Sequence, residues 1–211
     1  MRKTDSGGGS RCYLVGAGER TEEQITPMPG DLVIAADGGK AWLVELGIVP
    51  DLLVGDFDSL GETPVGPAVV RLPVEKDDTD MMAAARLGIE RGYRRFHIYG
   101  GAGGRFDHTL ANLQILTWLA RRGCENILYG PGWAASAVSG GTLRLEARAC
   151  GIVSVFCQGD AARGVTLEGL KYPLAGAALT CDFPLGVSNE FIGAPVRVMV
   201  EEGTLLVVWE R

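Results

Sequence analysis

RFHIYGGAGGRFDHTLANLQILTWLARR, residues 95–122, decides the fold. Its opening run, Arg95–Gly100, is short and apolar without clean alternation. That is the pattern of a strand buried on both faces, as in a parallel sheet. A glycine turn follows. From Asp107 to Arg122 the spacing then predicts a helix, with Leu110, Leu113, Ile115, Leu116 and Leu119 on one apolar face. Strand, glycine loop and helix in that order form the repeating unit of an α/β fold.

The same unit extends outward. Arg11–Gly16, Leu32–Ala36, Leu52–Gly55, Val69–Val74 and Asn126–Tyr129 read as further strands, with helices over Lys40–Leu46 and Thr79–Arg91. The expectation is a three-layer α/β/α domain with a mainly parallel sheet and helices on both faces. Beyond Gly130-Pro131-Gly132 the pattern changes. Thr142–Ala147, Gly151–Cys157 and Ala194–Glu201 alternate with period two, Leu205–Trp209 adds another apolar run, and none has helical periodicity. These predict a C-terminal antiparallel β-sandwich. The expected division is an α/β domain over residues 11–131 and a β-sandwich over 132–211. Residues 1–10, polar and glycine-rich, read as a flexible leader.

Acidic residues gather just past the strands. Asp37, before Gly38-Gly39, follows the second strand. Asp56 and Asp58 follow the third, in Gly55-Asp56-Phe57-Asp58-Ser59. Asp77 and Asp80 follow the fourth, in Lys76-Asp77-Asp78-Thr79-Asp80. Arg105, Asp107 and His108 follow the fifth, after the loop containing Gly103 and Gly104. The carboxyl ends of parallel strands share one edge, where ligands bind, so these groups converge in space. Crowded carboxylates repel unless a cation intervenes, and Mg²⁺ takes such oxygens together with substrate phosphates. The glycine loop lets backbone N–H groups approach an anion, and Arg105 offers a planar fork for phosphate. An acidic edge with magnesium and a nucleoside triphosphate is the reading. Local alternatives stand beside it: Asp77 and Asp80 as helix caps, Asp37 as a turn residue, His108 as a phosphate contact or a cap. His97, within a strand, reads as structural. Tyr172 offers a ring at a loop, and Ser188-Asn189-Glu190 a polar turn.

Composition narrows the classes. The 211 residues are 46% apolar and 22% charged, with 31 glycines and a net charge of −6. That balance argues against binding nucleic acid through a basic face. No apolar run reaches the ~18 residues needed to span a bilayer, and no secretory leader is evident. Five scattered cysteines without a C-x-x-C pair read as reduced thiols in a cytoplasmic protein.

Taken in order, Asp37-Gly38-Gly39, Gly55-Asp56-Phe57-Asp58-Ser59, Lys76-Asp77-Asp78-Thr79-Asp80, Gly103-Gly104-Arg105-Phe106-Asp107-His108 and Ser188-Asn189-Glu190 resemble the thiamine pyrophosphokinases (thiamine diphosphokinases) of bacterial type. The resemblance covers nearly the whole chain from residue 11. It implies a homodimer with active sites shared between the α/β domain of one subunit and the β-domain of the other. It also implies Mg²⁺-dependent transfer of the β,γ-diphosphoryl group of ATP to thiamine, giving thiamine diphosphate and AMP. By resemblance, Asp56, Asp58 and Asp80 are metal-binding and hydroxyl-positioning carboxylates, with Asp77 beside them. Arg105 and Asp107 lie at ATP and its phosphates, Asp37 at the nucleotide edge. Ser188 and Asn189 receive thiamine, and Tyr172 stacks on it. A diphosphokinase for another hydroxymethyl substrate, such as a pterin, is the alternative. A haloacid-dehalogenase-like phosphatase, from Asp56-x-Asp58, and a non-catalytic thiamine or nucleotide sensor are the remaining rivals.

Overall fold

The computed structural model describes residues 9–55, 68–71 and 78–211. Asp56, Asp58 and Asp77 lie outside the described residues, as does the end of the strand expected over Val69–Val74. Among the described residues, six parallel strands form the N-terminal half: β1 (Cys12–Val15), β2 (Leu32–Ala36), β3 (Leu52–Gly55), β4 (Ala68–Arg71), β5 (Arg95–Tyr99) and β6 (Glu125–Gly130). They lie in the order β6-β5-β1-β2-β3-β4, all neighbours parallel. Strands β1, β2 and β3 are buried along their whole length, which is why their sequences show no alternation.

Helix α1 (Gly39–Glu45) covers one face of this sheet, through Trp42 and Leu43 against Tyr13, Val15 and Val33. Helices α2 (Asp80–Glu90) and α3 (Phe106–Ala120) cover the other, where Met81, Ala84, Ile115, Leu116 and Leu119 pack on Leu14, Ile34, Phe96 and Ile98. Leu110, expected on the buried stripe of α3, is exposed instead. It lies in the first turns, ahead of the point where the helix meets the sheet at Ile115. On the α1 face, β5 and β6 carry a row of rings in place of a second helix. Tyr13 and Tyr129 stack on either side of His97, and Tyr99 packs on Tyr129 with centroids 4.6 Å apart. The Tyr13 and Tyr99 hydroxyls donate to the carbonyls of Thr26 and Gln24, tying residues 24–26 across the row.

The C-terminal half is antiparallel: β7 (Trp133–Leu145), β8 (Ile152–Cys157), β9 (Ala161–Glu168), β10 (Leu174–Thr180), β11 (Gly186–Glu190) and β12 (Val196–Glu210). Ala194–Glu201 and Leu205–Trp209, read as two runs, are one strand. Its pairing with β7 is broken only by a register shift between Val200 and Thr204. On one side of that break β12 pairs with β9, and on the other with β8. Both long strands thus pass from one layer of the sandwich to the other through an irregularity, the usual way such a corner is turned. Val153, Val155, Val165, Leu167, Val196, Val198, Leu205 and Val207 fill the space between the layers. Strand β7 also pairs antiparallel with β6, so hydrogen bonding runs unbroken from one half into the other.

Candidate nucleotide and acceptor sites

The chain passes from β1 through β2 and β3 to β4 on one side, then returns to place β5 on the other side of β1. The topological switch point therefore lies between the carboxyl ends of β1 and β5, where open α/β sheets bind ligands. Two glycine loops meet there. Gly16 N–H donates to Tyr99 O at 2.8 Å, Gly18 N–H to Gly100 O at 2.7 Å, and Glu19 N–H to Ala102 O at 2.8 Å. A Cβ on Gly16 would stand 2.6 Å from Gly100 O, and one on Gly100 2.3 Å from Gly16 O. Side chains are excluded because the two backbones occupy the same space. Gly16 and Gly18 were missed as functional positions. The signal was the G-x-G after the first strand, but its partner loop lies more than eighty residues away.

Within the β5–α3 loop, Gly103 and Gly104 both take left-handed φ, +81° and +62°. Asn112, one of two buried polar side chains of α3 with Thr117, donates from Nδ2 to Gly101 O at 2.6 Å and fixes the loop from below. It too was missed; an asparagine on a largely apolar helix face was its trace in the sequence. Arg105 occupies the N-cap of α3 without a side-chain cap bond. Its guanidinium instead grips Asp107 twice, Nε–Oδ1 at 3.1 Å and Nη2–Oδ2 at 2.5 Å. The guanidinium, and next the backbone N–H of His108 among smaller causes, hold the Asp107 carboxyl below its ordinary range. Both side chains are largely exposed, 72% and 63%, so the pair contributes little to stability and opens readily for a ligand. His108 is exposed in the first turn of the same helix.

Asp37, exposed at the end of β2, has φ +51°, and its backbone N–H donates to Val54 O at 2.8 Å. Gly38 is the N-cap of α1, and the next residue, Gly39, has room only for hydrogen: a Cβ there would lie 1.9 Å from Val15 O. Asp80 is the first residue of α2 and half-buried. The cap of that helix is Thr79, whose Oγ1 accepts from Met82 N–H at 3.1 Å, so Asp80 is not needed as one. Asp78 pairs with Arg86 at 3.2 Å. The structure thus brings Asp37, Asp80, Gly103, Gly104, Arg105, Asp107 and His108 to the strand-end edge of one sheet, as expected.

The second group sits in the β-sandwich. Tyr172 lies in the loop between β9 and β10 and is 56% exposed. Ser188-Asn189-Glu190, read as a turn, is part of β11. The pairing of β11 with β8 shifts between Gly186 and Asn189, and Ser188 takes φ +60°, so a bulge produced the turn-like sequence. Asn189 is buried, and both ends of its amide are engaged. Oδ1 accepts from Tyr172 N–H at 2.9 Å and from Glu190 N–H at 2.9 Å, while Nδ2 donates to Tyr172 O at 2.7 Å. Lys171 bonds Glu190 at 2.7 Å and lies 5.3 Å from the Tyr172 ring centroid. Asn189 therefore holds Tyr172 in place, and Tyr172 presents the free face.

His97 is structural, as expected: Nδ1 lies 3.0 Å from the Tyr129 hydroxyl between stacked rings, and burial, with Arg11 as the next cause, brings its pKa down to about 4. All five cysteines are free thiols.

Comparison with known proteins matches these halves in turn. The family model "Thiamin pyrophosphokinase, catalytic domain" matches residues 29–128, and "Thiamin pyrophosphokinase, vitamin B1 binding domain" matches residues 142–205. A thiamine pyrophosphokinase of Bacillus subtilis (strain 168) is 29% identical over 184 residues, covering 84% of this chain and 86% of that protein. The crystal structure of a Bacillus subtilis thiamine pyrophosphokinase superposes with a TM-score of 0.83 at 26% identity, over 95% of this chain and 99% of that one. That of a Geobacillus thermodenitrificans thiamin pyrophosphokinase gives 0.79 at 26% identity, over 95% and 97%. With both family models matched in order and the fold shared nearly end to end, the chain belongs to the thiamin pyrophosphokinase family.

Proposed function

We propose that this chain transfers the β,γ-diphosphoryl group of ATP to the hydroxyl of thiamine, releasing AMP and thiamine diphosphate. The observation that carries the reading is the paired glycine loop at the β1/β5 switch point, ending on Arg105, in a chain of this family. The vitamin B1 binding model over residues 142–205 favours thiamine over a pterin as acceptor.

The chemistry follows from the parts. Phosphoryl-type transfer asks mainly for in-line positioning and neutralisation of charge. Backbone N–H groups of the β5–α3 loop and the Arg105 fork hold the phosphates once Arg105 leaves Asp107. The thiamine hydroxyl attacks the β-phosphorus, the bond from that phosphorus to the oxygen bridging the α-phosphorus breaks, and AMP departs with the bridging oxygen. A carboxylate accepts the hydroxyl proton; Asp58 and Asp80 are the candidates. Tyr172 gives the cationic thiazolium an aromatic face, and Asn189 fixes that ring.

Oxygen donors suit Mg²⁺, and the half-buried Asp80 carboxylate at the strand-end edge is a donor of that kind. Asp56 and Asp58, one and three positions in sequence after the last residue of β3, complete the set we assign to the metal. When bound, the ion neutralises charge on the transferring phosphates. We assign nucleotide binding to residues 11–131 and thiamine binding to 132–211. We also propose a homodimer in which the two half-sites meet. Supporting this, apolar side chains flank each half-site in the open: Phe106 and Leu110 beside Arg105, and Phe183, Leu185 and Val187 on β11 and the turn leading into it. Free thiols in all five cysteines fit a cytoplasmic setting.

The test is a coupled assay for AMP with ATP, Mg²⁺ and thiamine. Thiamine-dependent AMP release is expected. ADP or free phosphate as product overturns the reading in favour of a kinase or phosphatase, and thiamine binding without turnover favours a sensor.

A further inference from the structure

Two of the groups assigned above to phosphate, the Arg105 guanidinium and the Gly104 N–H, are already occupied by carboxylates of the chain itself. Asp107 holds the Arg105 guanidinium. The second carboxylate is Glu19, on the loop after β1. Its backbone is fixed to the same loop through the bond to Ala102 O, and its Oε1 accepts from Gly104 N–H at 3.3 Å. Its carboxyl carbon lies over Gly103: a Cβ on that glycine would stand 2.4 Å from Glu19 Cδ. No Lys or Arg among the described residues pairs with Glu19. An exposed carboxylate thus rests on consecutive left-handed glycines, against a backbone N–H that suits a phosphate oxygen.

We propose that Glu19 is a resident anion of the nucleotide site: its carboxylate occupies the Gly104 N–H that a phosphate of ATP takes, and swings out when the nucleotide binds. The proposal rests on the reading of this loop as the phosphate loop. Magnitude decides the sign of the effect. A single exposed hydrogen bond of 3.3 Å does little to hold the loop, which has the Gly16, Gly18 and Glu19 backbone bonds and Asn112 for that purpose. A carboxylate left within a few ångströms of a polyanion repels it by more than that bond gains. Removing the charge therefore strengthens nucleotide binding.

The experiment compares wild type with Glu19→Gln, which keeps the shape and an acceptor, and Glu19→Ala, which removes both. The KM values for ATP and thiamine are measured at low and high salt, and ATP affinity is measured by calorimetry without thiamine. In both variants the KM and Kd for ATP fall about three- to tenfold at low salt, the gap narrows at high salt, and the KM for thiamine is unchanged. An ATP Kd that is unchanged or weaker in Glu19→Gln overturns the proposal, as does a gain that ignores salt. Calorimetry keeps the outcomes separable: if wild type shows no thiamine-dependent AMP release, the proposed reaction fails, while the nucleotide affinities still decide the role of Glu19.

Discussion

The two candidate sites are built from opposite materials. At the β1/β5 switch point the framework is backbone: three N–H···O bonds join loops from distant parts of the chain, and glycine is required because the carbonyls lie where Cβ atoms would be. In the β-sandwich the framework is a side chain: the buried Asn189 amide holds the backbone of Tyr172 and leaves the ring in solvent. A backbone framework suits a polyanion, which is bound by N–H groups and approached closely. A side-chain framework suits a flat organic cation, which needs an exposed face. Damage to either framework should therefore cost stability, but each should weaken a different substrate: the glycine loops serve ATP and the Asn189 amide serves thiamine.

The sharpest way to break this contrast is Arg105→Ala. Its side chain is exposed and its ion pair weak, so Tm should hardly move while kcat falls about 10²–10³-fold. A large loss of Tm would show that Arg105 belongs to the framework. Gly100→Ala comes next. The residue has φ +58° and its new Cβ would stand 2.3 Å from Gly16 O, so we expect a loss of about 2–3 kcal/mol, readable by denaturant unfolding, together with a higher KM for ATP. Asn189→Ala should cost about 1–3 kcal/mol, because the Tyr172 backbone groups lose their partners, and raise the KM for thiamine alone. Tyr172→Ala should leave stability within about 0.5 kcal/mol and raise the thiamine KM by up to about tenfold. If Tyr172→Ala proves worse for thiamine than Asn189→Ala, the amide positions the ring; the reverse order would give Asn189 a role of its own.

The smallest effect concerns the ring row between the two regions. His97 has its folded pKa lowered from 6.5 to about 4, so the unfolded chain takes up the proton first as pH falls. Stability from this group is complete above about pH 6.5 and is lost progressively between about 6.5 and 4. His97→Phe should flatten the pH dependence of unfolding across that window and leave the KM values for both substrates unchanged.

What could be read from the sequence followed the same division. The strands of the parallel sheet are apolar runs bounded by glycine, and Leu32–Ala36 and Leu52–Gly55 were legible to the residue. Strands β9 and β10 were not. Ala161–Glu168 and Leu174–Thr180 are rich in alanine and glycine, which are poor strand formers, and their mutual register shifts twice, so no clean alternation survives. The carboxylates Asp37, Asp80 and Asp107 were legible because strand ends place them. Glu19 and Asn112 were not, because their roles depend on loops that meet only in three dimensions. Asn189 was visible as a polar motif, but its inward direction is set by the bulge at Ser188, which alternation cannot forecast.

Strand β12 pairs with β7, β8 and β9, and so lies at the centre of the whole C-terminal half. That arrangement orders events on the ribosome. The parallel sheet has all its strands once Gly130 has been made, whereas the sandwich must wait for residues up to Glu210. At about 5–20 residues per second, the nucleotide half has a head start of about 4–16 s, during which β7 is a nascent edge without its main partner. Serine, alanine and glycine between Trp133 and Gly141 make that waiting edge a poor template for pairing with other chains.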